Sequence, residues 1–478
     1  MDIREGLTFD DVLLVPKFSD VSSRSETDLS TQLSRNISIN IPLISANMDT
    51  VTESSMAVTI AREGGIGIIH RFLTIQEEVN EVLKVKRSGS VMIENPYSIN
   101  PEQTIQNAFS IMNEKQVSGL LVVDSNSKLV GILTVRDVLF ESPNCSKLVK
   151  ELMTKDVVTA KLGIDLEEAK EVLKKNRIEK LPIIDDNNLV KGLITCQDIS
   201  NLEKYPNASK DNKGRPIVGA AVGVKGDFME RTEALIDAGT DTIVVDIAHG
   251  HSENAINTVK NIKKAFSDCE IIAGNVATAK GTEDLIKAGV DAVKVGVGSG
   301  SICITRVITG SGVPQLTAVL DCAKVGKEYN IPIISDGGTR NSGDATKALA
   351  AGASSIMVGS ILGGTDETPG TTITKNNKRF KIYRGMASLG ASMGRKTRET
   401  GAFELTDDIN DYVAEGVDAM VPYKGSVTDI ITQITGGIRS GLSYCGAHNI
   451  KQMHENAEFI KISGAGFAES QPHDVDIM

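Results

Sequence analysis

The chain has 478 residues, with 51 Lys plus Arg against 62 Asp plus Glu and a formal net charge of −11. Single domains average about 150 residues, so two or three compact units are expected. The acidity argues against a nucleic-acid backbone or an anionic membrane as main partner, and no apolar run approaches the roughly 18–20 residues of a membrane span. The amino terminus, Met1-Asp2-Ile3-Arg4-Glu5, carries acid where a secretion signal is basic and then apolar. Cysteines stand at 145, 196, 269, 303, 322 and 445 without CxxC spacing. A reduced, cytoplasmic setting is therefore expected, and no zinc site. Glycine is abundant, and in an α/β chain that suggests backbone brought close to a phosphate-bearing ligand.

In chain order, short apolar runs that end in Gly or a polar residue occupy 41–47 and 65–70 and, after a long interval, 218–224, 242–246, 271–275, 292–298, 332–337 and 355–360. Near-continuous apolar runs suit parallel strands buried on both faces. Helix-like stretches lie between many of them, such as 283–289, which closes on a glycine. The pattern predicts an α/β fold, a (β/α)₈ barrel, whose active site lies at the C-terminal ends of the strands. The polar run ends Asn47, His70, Asp246, Asn275, Asp336 and Ser360 then converge on one mouth. An open doubly wound sheet is the alternative.

The interval between the second and third runs contains a repeat. Asp124 and Asp185, Gly131 and Gly192, and Asp137 and Asp198 are each 61 residues apart, which marks two copies of one supersecondary unit. Each copy reads as a helix (104–115, 166–176), two strands joined by an acidic turn, and a helix opened by Asp. The pair resembles tandem cystathionine-β-synthase (CBS) modules. The expected division is a first barrel part at 1–91, the CBS module at 92–203 (copies about 92–148 and 149–203), and the second barrel part at 204–478. The polar stretch 203–215 supplies turn chemistry at the return.

The residues that carry chemistry follow the sixth and later runs. Gly296, Gly298 and Gly300 alternate in a loop that leads to Cys303, with a hydroxyl two residues on at Thr305. Such a loop bends sharply and exposes backbone N–H and C=O groups. Cys303 reads either as a small buried hydrophobe or as a nucleophile for an electrophilic carbon. Asp336-Gly337-Gly338 and Gly359-Ser360 match the phosphate site that many barrels build after strands seven and eight. A Gly-Gly pair is otherwise a turn.

Over nearly its whole length the chain resembles the inosine-5′-monophosphate (IMP) dehydrogenases. The resemblance is carried by 7–16, 45–53, the Cys303 loop, 336–340, 383–386 and 421–425. It implies that Cys303 adds to C2 of the purine, that hydride passes to NAD, and that the covalent thioimidate is hydrolysed to xanthosine monophosphate. It implies phosphate on Ser301, Gly338, Gly359, Ser360 and Tyr383, and ribose on Asp336. It puts the base beside Gly385, Met386, Ala387 and Glu415, with Thr305 and Glu415 in the chemistry. At Ala387 the family usually has glycine. Asp246, Asn275, Gly296 and Gly298 match the NAD side. A potassium ion is implied on the carbonyls of Gly298, Gly300 and Cys303, completed by Glu469, Ser470 and Gln471 of a neighbouring subunit. A homotetramer is implied, with octamers through the CBS modules.

One departure stands out. The family's flap carries an Arg-Tyr pair whose arginine activates water; 393–403 has no such pair, and Arg398 lies one position from the expected arginine. Arg398 is taken as the replacement base, the alternative being a solvated flap charge. Guanosine-5′-monophosphate (GMP) reductase, a sister enzyme that deaminates GMP with NADPH and needs no such arginine, is the first rival reading. A non-catalytic CBS sensor is the second. In it Thr134, Asp137, Thr195 and Asp198 hold an adenine or guanine nucleotide; otherwise these residues only cap helices.

Overall fold

Eight parallel strands close into a barrel: β1 (Leu43–Ser45), β2 (Ile66–Ile69), β3 (Val218–Val222), β4 (Thr242–Asp246), β5 (Glu270–Val276), β6 (Ala292–Val295), β7 (Ile333–Asp336) and β8 (Ser355–Val358). The computed structural model describes residues 3–89, 92–115, 117–142, 145–400, 413–472 and 475, with backbone alone at 201–202 and 395–400. Each predicted apolar run coincides with one of these strands, β5 extending one residue past its run at each end. The open-sheet alternative fails because the ring closes: β8 pairs with β1 through Val358↔Ser45, and β2 pairs with β3 through Gly67↔Val218. The runs are continuously apolar because alternate side chains have two different apolar destinations. Ile44, Ile66, Ile68, Ala221, Val244, Ile272, Ala292, Ile334 and Met357 fill the barrel interior. Leu43, Val222, Val245, Ile271, Val293, Ile333 and Ile356 pack outward under the helices. The predicted glycine-closed helix is Ala279–Ala288. The Thr278 hydroxyl accepts from Gly281 N at 3.1 Å at its start, and Gly289 (φ +108°) closes it in the left-handed region.

The chain divides into two compact units: 1–86, 207–211 and 216–478 form one, and 87–206 with 212–215 the other. Residues 87–89, 204–206 and 212–215 thus group with the inserted unit. In the barrel unit the buried Lys86 ammonium is held by Asp241 Oδ2 at 2.6 Å, Asp211 Oδ2 at 3.1 Å and Pro216 O at 3.1 Å, just where the chain departs and returns.

Within the inserted unit the repeat is literal. Helix Ile105–Lys115 and strands Gly119–Val123 and Leu129–Thr134 recur 61 residues on as Leu166–Asn176, Lys180–Ile184 and Val190–Thr195. Register shifts between Val122 and Val123 and again between Ile183 and Ile184, and the turn residues Ser127 (φ +61°) and Asn188 (φ +64°) share one conformation. The copies differ after the second strand. The second has the expected helix, Cys196–Lys204. The first makes only four-residue turns, such as Asp137 N to Thr134 O at 3.0 Å and Glu141 N to Val138 O at 3.0 Å.

A three-stranded antiparallel sheet, Ile373–Lys375, Lys378–Arg384 and Asp418–Pro422, was not anticipated. Its hairpin turns through Asn376 and Asn377, both at positive φ (+52° and +57°), as a two-residue turn requires. It sets Tyr383 opposite Ala419 and Arg384 opposite Asp418. Among the described residues no helix is long and apolar enough to cross a membrane.

Candidate active site

The loop after β6 is shaped by glycines that cannot be anything else. A Cβ on Gly296 (φ +152°) would strike the carbonyl of Asp336, and one on Gly298 (φ +75°) would strike the Arg306 side chain. Arg306 ties the loop from inside, giving Nη2 to Val313 O at 2.5 Å and Val297 O at 3.3 Å. Cys303 then turns back, its N–H on Gly300 O at 3.1 Å, and its half-buried thiol is free of any disulfide. Cys303 Sγ stands 3.2 Å from Thr305 Oγ1, and Thr305 Oγ1 gives its proton to Glu415 Oε2 at 2.7 Å. With the Thr305 proton so directed, the remaining arrangement has the thiol donating to Thr305. Two short shifts would carry that proton to Glu415 and leave a thiolate, the reactive form of cysteine.

Backbone bonds lock this relay in place. Ile304 N donates to Glu415 O at 2.8 Å, Val417 N to Ile302 O at 3.1 Å, Glu415 N to Ala387 O at 3.1 Å and Gly385 N to Val417 O at 3.1 Å. Residues 415–417 therefore lie between the cysteine loop and 385–387. The far end of 383–386 is anchored by Arg384, whose Nε reaches Asp49 Oδ2 at 2.8 Å.

At the other end of the cavity Gly337 (φ +90°) and Gly338 (φ +77°) make the turn after β7. The N–H of Gly338 is already given to Ser299 O at 3.0 Å, so Gly338 contributes space more than a donor: a Cβ there would stand 3.1 Å from Gln315 and 3.4 Å from Phe9. A Cβ on Gly359 would stand 3.0 Å from the Tyr383 hydroxyl. Tyr383 is 3% exposed, its hydroxyl donating to Met48 Sδ at 3.8 Å. Burial pushes that hydroxyl up to about 12, so it remains a neutral donor at ordinary pH.

Between the two ends lies a buried charge network. Lys294 Nζ reaches Asp246 Oδ1 and Asp336 Oδ2, each at 2.8 Å, and also Asn275 Oδ1. Asn275 Nδ2 bonds Asp336 Oδ2 at 2.9 Å and Gly296 O at 2.7 Å. Burial works against ionising Asp246, yet Lys294, with help from Arg71 and an Asn47 hydrogen bond, holds its carboxyl below the usual range. Burial likewise opposes the Lys294 charge, and Asp246 with Asp336 outweighs it, raising the ammonium above its ordinary value.

One cavity of about 430 Å³ gathers Asn275, Gly296, Gly298, Gly300, Ser301, Cys303, Thr305, Asp336, Gly338, Gly359, Ser360, Tyr383, Gly385, Met386 and Glu415. That is room for a nucleotide-sized ligand. Asp246 is not on its wall; it pairs with the buried Lys294. His70 also lies off it, fully buried, its Nδ1 accepting from Phe72 N at 3.2 Å and its Nε2 3.3 Å from Glu53. Arg398 falls in helix Leu389–Thr400, and its side chain lies outside the described residues. Glu469 ends helix Gly464–Glu469 and Ser470 caps it, its hydroxyl on Gly466 O at 2.8 Å; these two and Gln471 are exposed and not on the cavity wall. In the inserted unit, Asp137 Oδ2 accepts from Thr134 N at 2.7 Å and Oγ1 at 2.8 Å, and Asp198 Oδ2 from Thr195 N at 3.1 Å and Oγ1 at 2.6 Å.

Sequence reasoning missed Lys294 and Gln315. Gln315 is buried and donates to Val295 O at 2.9 Å and Ser335 Oγ at 3.1 Å, pinning β6 to β7. A charged residue inside the apolar run 292–298 was a usable signal for Lys294; nothing local marked Gln315.

Comparison with known proteins agrees with this geometry. The family model for the IMP dehydrogenase / GMP reductase domain matches residues 6–473. An inosine-5′-monophosphate dehydrogenase of Nitrosopumilus maritimus (strain SCM1) is 75% identical over 478 residues, all of both chains. One of Aquifex aeolicus (strain VF5) is 53% identical over 99% of this chain and 96% of its own. A crystal structure of GMP reductase from Trypanosoma brucei in complex with guanosine 5′-monophosphate superposes with a TM-score of 0.92 at 45% identity, covering 99% of each chain. The protein is a member of the IMP dehydrogenase / GMP reductase family.

Proposed function

We propose that this chain is an IMP dehydrogenase, oxidising IMP with NAD and water to xanthosine monophosphate, NADH and a proton. The observation that carries the reading is the Cys303–Thr305–Glu415 relay opening into the same cavity as the glycine and hydroxyl cluster of Gly338, Gly359, Ser360 and Tyr383. That cluster would hold the 5′-phosphate with uncharged donors from Ser301, Ser360 and Tyr383, and Asp336 would accept from the ribose hydroxyls. The base would then lie against Met386, Ala387 and Glu415, with C2 at the sulfur. The Cys303 thiolate adds to C2 as its proton passes through Thr305 to Glu415. Departure of hydride from C2 leaves a thioimidate on Cys303. Water then adds to C2, the C–S bond breaks, and the thiol is restored. Covalency divides one difficult step into two.

NAD, when bound, accepts the hydride. Gly300 lies against the sulfur's residue, where an added Cβ would stand 3.4 Å from Cys303 Cβ, an ordinary contact distance. Asn275, Gly296 and Gly298 would hold the nicotinamide end, together with Asp246. The loop also suits a potassium ion, since carbonyl oxygens are the donors for a hard monovalent cation; Gly298, Gly300 and Cys303 would supply them, completed by Glu469, Ser470 and Gln471 of a second subunit in a homotetramer. Arg398 is proposed to activate the water. The inserted unit is proposed as a CBS pair, with Thr134, Asp137, Thr195 and Asp198 at adenine- or guanine-nucleotide sites and octamers forming through it. A cytoplasmic setting is proposed.

GMP reductase is the second reading. The fold similarity to the T. brucei reductase and the lack of an Arg-Tyr pair at 393–403 favour it. Purified protein is incubated with IMP plus NAD and, separately, with GMP plus NADPH. Turnover in the first mixture, with a purine-nucleotide adduct on Cys303 by intact mass, supports the dehydrogenase. Turnover in the second alone overturns it.

A further inference from the structure

Lys294 is 2% exposed, on a barrel strand that is otherwise apolar. An ammonium removed from water persists only when paired and hydrogen-bonded. Its partners come from three other strands: Asp246 ends β4, Asn275 lies on β5 and Asp336 ends β7. The stem is gripped as well, since a Cβ on Gly274 would stand 2.7 Å from Lys294 Cβ. Lys294 Nζ and Asn275 Nδ2 both bond Oδ2 of Asp336, at 2.8 and 2.9 Å. Oδ1 is left without a protein partner among the described residues, on a side chain that lines the cavity. The same ammonium also holds Asp246 Oδ1 and Asn275 Oδ1.

We propose that Lys294 is a positioning residue for both substrates: it aims Oδ1 of Asp336 at the nucleotide ribose and sets Asp246 and Asn275 for the nicotinamide end of the dinucleotide. The inference rests on the proposed function and adds a residue that touches neither ligand. A merely structural lysine would alter stability; this one bonds Asp336 and Asp246 through a single ammonium.

The test uses the full chain in a Cys303→Ala background, where nothing turns over, with IMP and NAD titrated separately by calorimetry. Lys294→Met is expected to weaken both ligands about tenfold or more, the consequence of removing one partner from a buried charge cluster. Asp336→Asn should weaken IMP alone and Asp246→Asn NAD alone, while Lys294→Arg stays within about threefold of the parent for both because it keeps the charge. If Lys294→Met leaves either affinity within threefold, the inference is overturned. Should the single variant fail to fold, Lys294→Met with Asp246→Asn removes one charge of each sign; unchanged IMP affinity there overturns it equally. A parent that takes GMP and NADPH in place of IMP and NAD overturns the assigned reaction instead, and the same variants then read the Lys294 inference on GMP.

Discussion

The barrel mouth and the inserted repeat use the same residue types to opposite ends. At the mouth, the Thr305 hydroxyl spans from a cysteine to a glutamate, and Asp336 keeps one oxygen for the cavity. In the repeat, Thr134 with Asp137 and Thr195 with Asp198 close on each other through paired side-chain and backbone bonds. A Thr–Asp pair three residues apart can satisfy itself locally, as a helix cap does. The barrel's partners are 110 residues apart in the case of Thr305 and Glu415 and cannot. Reactive groups are thus found where the fold, and not the local chain, supplies the partner.

The sharpest way to break this contrast is at the sulfur. Cys303→Ala should lower kcat by at least about 10³-fold, because the covalent route is lost outright. Steady-state assays and intact mass would both read it, and full turnover without the sulfur would end the mechanistic reading. Glu415→Gln comes next, at about 10²-fold, the usual worth of a positioned acid–base group. Thr305→Val should cost a similar factor, and the double variant little more than either single, since both act on one proton path. Additive losses would separate Thr305 from Glu415 and dissolve the relay.

Gly359→Ala probes the phosphate end. The new Cβ would sit 3.0 Å from both the Tyr383 hydroxyl and Met48 Sδ, tighter than a packed core accepts. KM for IMP should rise about tenfold while far-ultraviolet circular dichroism stays unchanged. An unaltered KM would move the phosphate away from Gly359 and Tyr383.

What could be read in advance follows the same division. The eight strands were legible because burial on both faces leaves a continuous apolar run, which no loop imitates. The repeat was legible because its offset is constant. Asp336 and Gly359 could be placed at the mouth because each stands at the end of a predicted run, and Cys303 because it ends the loop that follows one. Lys294 could not be assigned a role, since its partners Asp246 and Asp336 lie 48 and 42 residues away and only the closed barrel brings them together. Tyr383 was known by motif but not by surroundings: its sheet partner Ala419 lies beyond 401–412, and antiparallel register across so long a connection leaves no local trace. The helix expected after Asp137 is replaced by turns, whereas its counterpart after Thr195 forms.

The smallest predicted effect distinguishes capping from ligand binding in the repeat. Asp198 opens a real helix, Cys196–Lys204, whereas Asp137 opens only turns. If these aspartates were nothing more than caps, Asp198→Ala should cost about 1 kcal/mol and Asp137→Ala less. Neither change would then alter the response to a nucleotide. If they also hold a ligand's ribose or phosphate, as proposed, each variant should in addition lose the thermal shift that ATP or GTP produces in the parent. Ligand stabilisation follows RT ln(1 + [L]/Kd), which amounts to about 2.7 kcal/mol at a hundredfold excess over Kd and is larger than the cap itself. Thermal scans of parent, Asp137→Ala and Asp198→Ala, each with and without nucleotide, separate the two contributions. An identical nucleotide shift in all three would reduce these residues to caps, and the repeat would then differ from the barrel mouth in kind and not in degree.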